Sequence, residues 1–313
     1  MLSGLAPSTL ALALVAGVLL DLLLGEARRW HPLVGFGRLA SALERRLNAG
    51  RSRIAGGLLA WMLAVLPLCA LAWLACKYAG AAVHALLLYL GIGLRSLRDH
   101  TLPIHAALVR GDLDAARGLT SRIVSRDTEQ ANESDLAKAG AESLLENGND
   151  AVFGTLFWFL VGGGAGVVLF RLANTLDAMW GYRNARFNLF GRVAARIDDV
   201  LNYVPARLTA LSYVLLAERG RLRAWRCWRA QARAWSSPNA GPVMASGAGA
   251  LGVRLGGAAV YDGVTEQRPP LGTGPDACAD DILRAWRLVW RTTLLWVLVA
   301  GIALFALDGV VHA

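Results

Sequence analysis

The chain has 313 residues, of which 55% are hydrophobic and only 18% are charged. This composition excludes an ordinary soluble globular protein and is typical of an integral membrane protein. The net charge of +9 comes from arginines that lie between apolar runs, a placement that the positive-inside bias explains. No basic patch lies on a recognisable reading module, so we expect no nucleic-acid partner.

Apolar runs along the chain predict the membrane helices, because roughly 20 apolar residues cross the hydrocarbon core as a helix. We therefore expect an all-α, polytopic membrane protein with about four to six membrane helices and helical cytoplasmic loops, forming one membrane-embedded domain over residues 1–313. The predicted apolar runs are residues 2–24, 54–76, 78–94, 151–170, 200–217 and 292–307.

The second and third runs are separated only by Lys77. This short break predicts a tight helical hairpin with Lys77 near the outer face of the membrane. Pro67 lies inside the first of these two helices and is expected to kink it.

Arginines between residues 28 and 53 place that loop in the cytoplasm and the N-terminus outside. Residues 95–150 are predicted to form a second cytoplasmic segment with two amphipathic helices. Asp112 and Ser134 are the expected N-cap residues of those helices.

Residues 218–291 form the third predicted cytoplasmic segment. It begins with an Arg/Trp-rich helix, RGRLRAWRCWRAQARAW, whose tryptophans suit a membrane interface. A Gly/Pro/Ala-rich loop is expected to follow over residues 236–274. Within it, Gly247 to Gly252 matches GxGxxG, but no strand precedes the match, so it does not indicate a dinucleotide site.

The run 151–170 has glycines at positions 162, 163, 164 and 166, a density that could break a helix. If both this run and 200–217 crossed the membrane fully, residues 171–199 with their five arginines would lie outside, against the charge bias. We therefore expect one of the two runs to be broken or shallow.

Glu142, Glu146 and Asp150 follow one another at helical spacing, so they are expected to share one helix face. Carboxylates arranged in this way could hold Mg²⁺ while substrate phosphates supply further ligands. The alternative is an ordinary solvated helix face, on which Lys138 pairs with Glu142.

Asn174, Asp177 and Arg183 lie in ANTLDAMWGYRN at a predicted membrane edge. Polar side chains are costly there unless they face partners or a wet cavity, so these three are candidate site residues. The alternative is that they cap the end of a helix.

A similar group follows at the next membrane entry, with Asp198, Asp199 and Asn202 ahead of Arg207. Arg207 lies inside an apolar run and is expected to pair with a carboxylate or bind an anion, unless it simply reaches out to the interface. At the cytoplasmic end of the first run, Asp21 is a functional candidate or a partner of a nearby arginine.

Six motifs, taken together and in order along nearly the whole chain, resemble the adenosylcobinamide-phosphate synthase family of cobalamin biosynthesis, the CobD/CbiB membrane proteins. They are DLLLGEARRWHP, VSRDT, AESLLENGND, ANTLDAMWGYRN, ARIDDVLNYVPARL and SPNAG…GALGVRLGG. Two departures stand out. Ala27 replaces a usual Pro, and Pro242-Val243-Met244 replaces a Trp-Pro-Glu-like stretch after the Asn239 loop.

The resemblance implies an ATP-dependent ligase that joins a propionate of adenosylcobyric acid to (R)-1-amino-2-propanol phosphate or a related amino-alcohol phosphate. The expected route activates the carboxylate as an acyl phosphate, which the amine then attacks. The implied cofactors are ATP and Mg²⁺. The implied partners are the corrinoid, the amino-alcohol phosphate and membrane lipid, and a homo-oligomer is left open. The implied location is the bacterial inner membrane, with the active site on the cytoplasmic side.

Residue types and motif positions suggest roles in this chemistry. Arginines suit phosphate and propionate groups, and a carboxylate could take the proton of the amine. The catalytic candidates are Arg126, Asp127, Asp177 and Arg183. The substrate-binding candidates are Asp21, His31, Asn174, Arg207 and Asn239. The metal-binding candidates are Glu142, Glu146 and Asp150.

Two other classes of function stay open from the sequence. One is a membrane sensor, similar in architecture to the ampicillin-resistance regulatory protein. The other is a transporter with a broken helix near the midplane of the membrane. The acidic residues between 95 and 150 favour the ligase, since a transporter need not collect them on one cytoplasmic segment.

Overall fold

The computed structural model describes residues 2–26, 32–50, 52–261 and 263–311. Most of these residues are helical, and the one sheet among them is an antiparallel hairpin, which confirms the all-α prediction. The α-helices are α1 (Pro7–Leu24), α2 (Pro32–Leu47), α3 (Arg53–Ala79), α4 (Ala81–Gly91), α5 (Leu94–Val109), α6 (Leu113–Thr120), α7 (Glu133–Asn147), α8 (Gly154–Trp180), α9 (Arg192–Leu216), α10 (Arg221–Gln231), α11 (Ala240–Leu251) and α12 (Ala279–Val311). A π-helical turn (Gly148–Phe153) joins α7 to α8, a 3₁₀ turn (Ala232–Ala234) follows α10, and the hairpin consists of β1 (Arg254–Tyr261) and β2 (Val264–Gly272).

Five helical segments of the described residues are long and apolar enough to cross a membrane, which confirms the predicted number. They are Pro7–Leu24, Arg53–Ala79, Ala81–Val109, Glu133–Trp180 and Ala279–Val310. Helix α9, which contains the predicted run 200–217, is not among them.

The predicted hairpin of helices forms, but its turn is not at Lys77. Helix α3 continues to Ala79, and Gly80 makes the turn with a φ of 69° before α4 begins. Only glycine adopts this conformation without cost. Pro67 lies within α3, which continues past it as a single helix.

The chain divides into two compact units that alternate along the sequence. The first unit comprises Met1–Gly93, Asp150–Asn202 and Trp296–Ala313, and the second comprises Leu94–Asn149 and Tyr203–Leu295. The single domain expected over residues 1–313 stays a prediction.

In the first unit, α2, α3, α8 and the start of α9 share one hydrophobic core. Trp180, at the end of α8, packs edge-on against Phe190 with ring centroids 5.0 Å apart, and both side chains are buried. The other face of α3 behaves differently, because Leu58, Leu63 and Leu71 are exposed. Apolar side chains that face outward from a long apolar helix are expected where lipid surrounds it.

An ion pair fixes the segment between α8 and α9 to α2. The guanidinium of Arg186 donates from Nε and Nη2 to the two oxygens of Glu44, at 3.0 and 2.6 Å. The Glu44 carboxylate is buried, and the hydrogen bond from Arg186 holds its pKa below the usual value despite the opposing effect of burial. Asn184 turns the same segment by accepting the backbone N–H groups of Arg186 and Phe187.

Helix α8 breaks at Gly163, where φ is 61° and ψ is −147°. The next amide, Gly164 N–H, donates to Nδ1 of the buried His84 at 3.0 Å. The glycine cluster therefore interrupts the helix, as the sequence indicated, and a histidine side chain accepts one of the amide groups near the break.

The second unit is built around α11, all of whose residues are buried. Its glycines allow close packing: a Cβ on Gly249 would lie 2.7 Å from the Cα of Ala224 on α10. The prediction of a loop over residues 236–274 is wrong, since this stretch forms α11 and the β-hairpin. The small residues of this stretch allow helices to approach closely.

Two N-cap predictions have different outcomes. Asp112 caps α6 by accepting the N–H of Ala115 at 3.0 Å, which confirms the prediction. Ser134 does not cap α7, because Asn132 accepts the N–H of Asp135 at 2.9 Å and the helix starts at Glu133, two residues earlier than a cap at Ser134 requires.

The break in α8 leads to a test with a matched control. A Cβ on Gly163 would overlap the His84 ring, and the backbone conformation there strains any other residue. Gly163→Ala should therefore lower the free energy of unfolding by about 1–3 kcal/mol or more. Thermal unfolding in detergent should show the loss.

Gly162→Ala is the control, because a Cβ on Gly162 meets no atom within 4 Å. This variant should be as stable as the wild type or gain up to about 1 kcal/mol from helix propensity. Equal stability of the two variants would contradict the strained break.

Candidate functional site

In the second unit, the polar segment between α6 and α7 folds against the β-hairpin and encloses a cavity of about 800 Å³. The backbone N–H of Asp127 donates to the carbonyl of Val260 at 2.8 Å, and the N–H of Gly263 donates to Oδ2 of Asp127 at 2.8 Å. Thr128 Oγ1 donates to the carbonyl of Arg117 at 3.1 Å. The VSRDT motif is thus held from both sides, at the hairpin and at α6.

Within this motif, two neighbouring predicted residues differ in surroundings. Asp127 is exposed and lines the cavity. Arg126 also lines the cavity, and its guanidinium is paired with Glu142. A guanidinium has five N–H donors, so this pairing leaves Arg126 donors for a ligand.

Glu142 is the centre of a buried ion cluster. Its carboxylate accepts two hydrogen bonds from Arg268, at 3.1 and 3.3 Å, a further one from the N–H of Gly256 at 2.7 Å, and another from Arg126. The side chains of Glu142, Arg126 and Arg268 are 3%, 12% and 11% exposed. Such pairing is what makes a buried carboxylate tolerable.

The three carboxylates of the predicted metal site, Glu142, Glu146 and Asp150, lie in different surroundings, and their metal-binding role stays a prediction. Glu142 is occupied by arginines, and the π-helical turn from Gly148 breaks the spacing that would place Asp150 on the same helix face. In the described part of the chain, no three side chains of His, Cys, Asp or Glu gather closely enough to hold a metal ion. The alternative Lys138–Glu142 pair is wrong, because Lys138 pairs with Asp135 at 3.5 Å.

Glu146 is the exception within that predicted face. It is half-buried on α7, one turn after Glu142, and makes no hydrogen bond to the described residues. Its carboxylate interacts electrostatically with Arg126 and Arg268.

Arg268 was not identified from the sequence. It lies in the polar strand β2, where nothing in TEQRPPLG distinguishes a buried arginine from an exposed one. Burial lowers its pKa, but the charge of Glu142, the hydrogen bonds to Glu142 and the nearby Tyr261 and Glu146 together raise the pKa above the usual value. The guanidinium also lies over the Trp235 ring, 5.6 Å from its centroid.

The first unit contains a separate polar network among the π-helical turn, α8 and α9. The amide of the buried Asn202 donates to Asp150 at 3.2 Å and to Asp198 at 3.3 Å. Asn174 Nδ2 donates to the other oxygen of Asp198 at 3.3 Å. Burial and the charge of Asp150 raise the pKa of Asp198 despite these hydrogen bonds. Two residues predicted in separate motifs, Asn174 and Asp150, thus belong to one network.

Arg171 joins this network and was also missed from the sequence. Its Nη1 donates to the carbonyl of Asp150 at 3.2 Å and to Oδ1 of Asn174 at 3.4 Å. Its position directly after an apolar run was the available signal, because a charge at a membrane edge needs partners.

The remaining predicted residues of the first unit contribute less to this network. Asp177 is half-buried and feels the negative charges of Asp198 and Asp199. Arg183 is exposed on the segment after α8. Asp21 is buried in α1. The prediction for His31 lies outside the described residues.

Arg207 and Asn239, predicted separately as substrate-binding residues, contact each other in the second unit. Arg207 donates to Oδ1 of Asn239 at 2.6 Å and to the carbonyl of Pro238 at 2.9 Å, and it stacks 3.6 Å from the Tyr203 ring. Among the described residues it makes no ion pair with a carboxylate, while binding of an anion by Arg207 stays a prediction. Arg207 anchors the start of α11.

These features define a helical membrane protein that has a polar cavity in one unit and a carboxylate–amide network in the other. The model of the CobD/Cbib protein family matches residues 14–289. The chain belongs to this family.

Related proteins align with this chain over nearly its whole length. Proteins named "Cobalamin biosynthesis protein CobD" are 58% identical in Stutzerimonas stutzeri, over 92% of this chain and 96% of the relative, and 53% identical in Chromobacterium violaceum, over 97% and 99%. The protein of that name from Geobacter metallireducens is 39% identical, over 92% and 95%. No solved structure matches the chain.

The ion cluster allows a test of whether Glu142 is structural. Glu142→Gln removes the charge that compensates two buried arginines, so the free energy of unfolding should fall by about 3–5 kcal/mol. The measurement is thermal or denaturant unfolding in detergent.

Glu129→Gln serves as the control, since Glu129 is exposed on the neighbouring segment. Its stability should stay within about 0.5 kcal/mol of the wild type. A Glu142→Gln protein of normal stability with a changed magnesium requirement would support the metal role instead.

Proposed function

We propose that this protein is an adenosylcobinamide-phosphate synthase, which forms an amide between a carboxylate of adenosylcobyric acid and the amine of an amino-alcohol phosphate. The observation that carries the proposal is family membership over residues 14–289, together with relatives whose name assigns them to cobalamin biosynthesis. This favours the synthase over a sensor or a transporter.

The reaction requires activation of a carboxylate, because a carboxylate does not itself react with an amine. In the proposed route a propionate oxygen attacks the γ-phosphorus of ATP, and ADP leaves. The amine nitrogen then attacks the acyl carbon, inorganic phosphate leaves, and the nitrogen loses a proton as the amide forms. The protein must therefore bind phosphate, position the amine and accept a proton.

Asp127 is the proposed proton acceptor. One of its oxygens is held by the N–H of Gly263, and the side chain is exposed at the cavity of about 800 Å³. A fixed carboxylate that faces open space can take the proton of an incoming amine. Asp177, the alternative base, is half-buried among other carboxylates, which makes it less accessible.

Arg126 is the proposed phosphate ligand beside this carboxylate. Its pairing with Glu142 fixes the guanidinium, and its remaining N–H groups suit a phosphate or a propionate. Arg268 supports this arrangement by sharing the charge of Glu142. Arg183 stays a catalytic candidate, and its surroundings do not define a role for it toward the substrate.

Magnesium is the second proposed cofactor beside ATP. Mg²⁺ in proteins is commonly held by one or two carboxylates. The network of Asp150, Asp198, Asn174 and Asn202 in the first unit contains two carboxylates, and of the three metal candidates predicted from the sequence Asp150 is the one that belongs to it. We propose Asp150 and Asp198 as magnesium ligands, while Glu146 is retained as a candidate in the second unit.

The proposed location is the bacterial inner membrane, with synthesis on the cytoplasmic side. The apolar helices support membrane insertion, and the arginines between residues 28 and 53 and in 218–291 support the orientation.

The decisive assay incubates purified protein with adenosylcobyric acid, (R)-1-amino-2-propanol phosphate, ATP and Mg²⁺, and follows the condensed corrinoid and ADP. Asp127→Asn keeps an oxygen for the Gly263 N–H but cannot take a proton. Its kcat should fall at least about 100-fold.

Asp114→Asn is the matched control, because the Asp114 side chain is 95% exposed on α6. It should retain wild-type turnover. Failure of the wild-type protein to form product, under conditions where a family member does, would refute the synthase. Full activity of Asp127→Asn would refute only the role of Asp127.

The dependence of the activity on Mg²⁺ tests the proposed magnesium ligands. Asp198→Asn should raise the Mg²⁺ concentration needed for half-maximal activity at least about tenfold. Since protonation of Asp198 competes with the metal and its pKa is raised, the wild-type requirement for Mg²⁺ should fall as the pH rises. An unchanged titration curve for Asp198→Asn would remove this residue from the proposed ligands.

A further inference from the structure

Five arginines in the second unit line one cavity of about 310 Å³. They come from the segment between α9 and α10, from α10 itself, and from three successive turns of α12. The five are Arg219, Arg223, Arg284, Arg287 and Arg291. Glu218 is the one carboxylate among the described residues that line this cavity, so its lining carries a strong positive charge.

Three of these arginines are fixed by the protein. Arg223 donates from Nε to the carbonyl of Gly249 at 2.7 Å. Arg284 is held by Asp281 and by the carbonyl of Leu251. Arg291 pairs with Glu218 at 2.6 Å. The wall of the cavity is therefore organised before any ligand arrives, which lowers the entropic cost of binding.

The other two arginines have unused donors. Arg219 and Arg287 are exposed, and their guanidinium groups make no hydrogen bond to the described part of the chain. Like charges collected around one cavity repel each other, and an anion in the cavity would relieve this repulsion. Planar guanidinium groups match the oxygens of phosphate better than any other side chain does.

We infer that this cavity binds a phosphate group. It shares no lining residue with the cavity of Asp127, and the proposed synthase reaction does not use it. The phosphate could belong to a soluble molecule or to the headgroup of an anionic phospholipid.

A second feature bears on the phospholipid source. Arg284, Arg287 and Arg291 lie within the candidate membrane segment Ala279–Val310. Trp286 and Trp290 stack on the same helix with ring centroids 6.2 Å apart. Tryptophan and arginine commonly occur together at the level of lipid headgroups.

The test compares three full-length proteins: the wild type, the double variant Arg219→Gln/Arg287→Gln, and the control Arg226→Gln. Arg226 is exposed on α10 and does not line the cavity, so the control removes a neighbouring charge only. In neutral detergent, inorganic phosphate is titrated and followed by calorimetry. The wild type and the control should bind alike, the double variant at least about tenfold more weakly, and added salt should weaken binding.

The second arm distinguishes the lipid source. The same proteins are placed in nanodiscs of phosphatidylethanolamine with and without phosphatidylglycerol, and retained lipid is counted by mass spectrometry after extraction into detergent. Retention of phosphatidylglycerol by the wild type and the control, but not by the double variant, identifies a headgroup. Phosphate binding without lipid retention identifies a soluble phosphate compound.

A measurement on the wild type alone removes any dependence on folding of the variant. Phenylglyoxal modifies arginines, and the rates at Arg219, Arg287 and Arg226 are followed by peptide mass spectrometry. Phosphate or phosphatidylglycerol should slow modification of Arg219 and Arg287 only. If neither anion protects them, and all three proteins bind equally in both arms, the phosphate site is refuted.

Discussion

The buried carboxylate of Glu142 is the interaction on which the second unit depends. It holds Arg126 before α7, Arg268 on β2 and the backbone of Gly256 on β1, so one side chain joins the segment before α7 to both strands of the distant hairpin. Because a buried charge is tolerated only when it is paired, these segments cannot separate without exposing an uncompensated ion. The polar cavity beside Asp127 exists because these contacts keep the hairpin and the VSRDT motif together.

In the first unit, polar side chains lie among apolar helices and need hydrogen-bond partners there. Asn202 donates to both Asp150 and Asp198, so an amide separates two carboxylates that would otherwise repel each other. Helix α8 contributes Asn174 to this network, and earlier in the same helix Gly163 interrupts the backbone. Asn174, Asp198 and Asn202 thereby find hydrogen-bond partners within the unit, as the hydrocarbon surroundings require.

The sequence predicted what depends on composition and local pattern: the helical class, the number of apolar helices, the cap at Asp112 and the break near Gly163. It failed where tertiary contacts decide. The carboxylate face from Glu142 to Asp150 assumed a regular helix, and a π-helical turn cannot be recognised from spacing. Arg268 had no local signal, because its importance comes from a partner 126 positions away. Small residues in α11 looked like a loop because their packing partners are distant.

The alternation of the two units along the chain has a consequence for biogenesis. The first unit is complete only when its last segment, from Trp296 onward, has been synthesised, and Trp296 packs against Phe153 with ring centroids 5.4 Å apart. The helices made first must therefore remain in the membrane without their final partner while the second unit emerges. Domains usually fold in the order of their synthesis, but here the part that starts first finishes last.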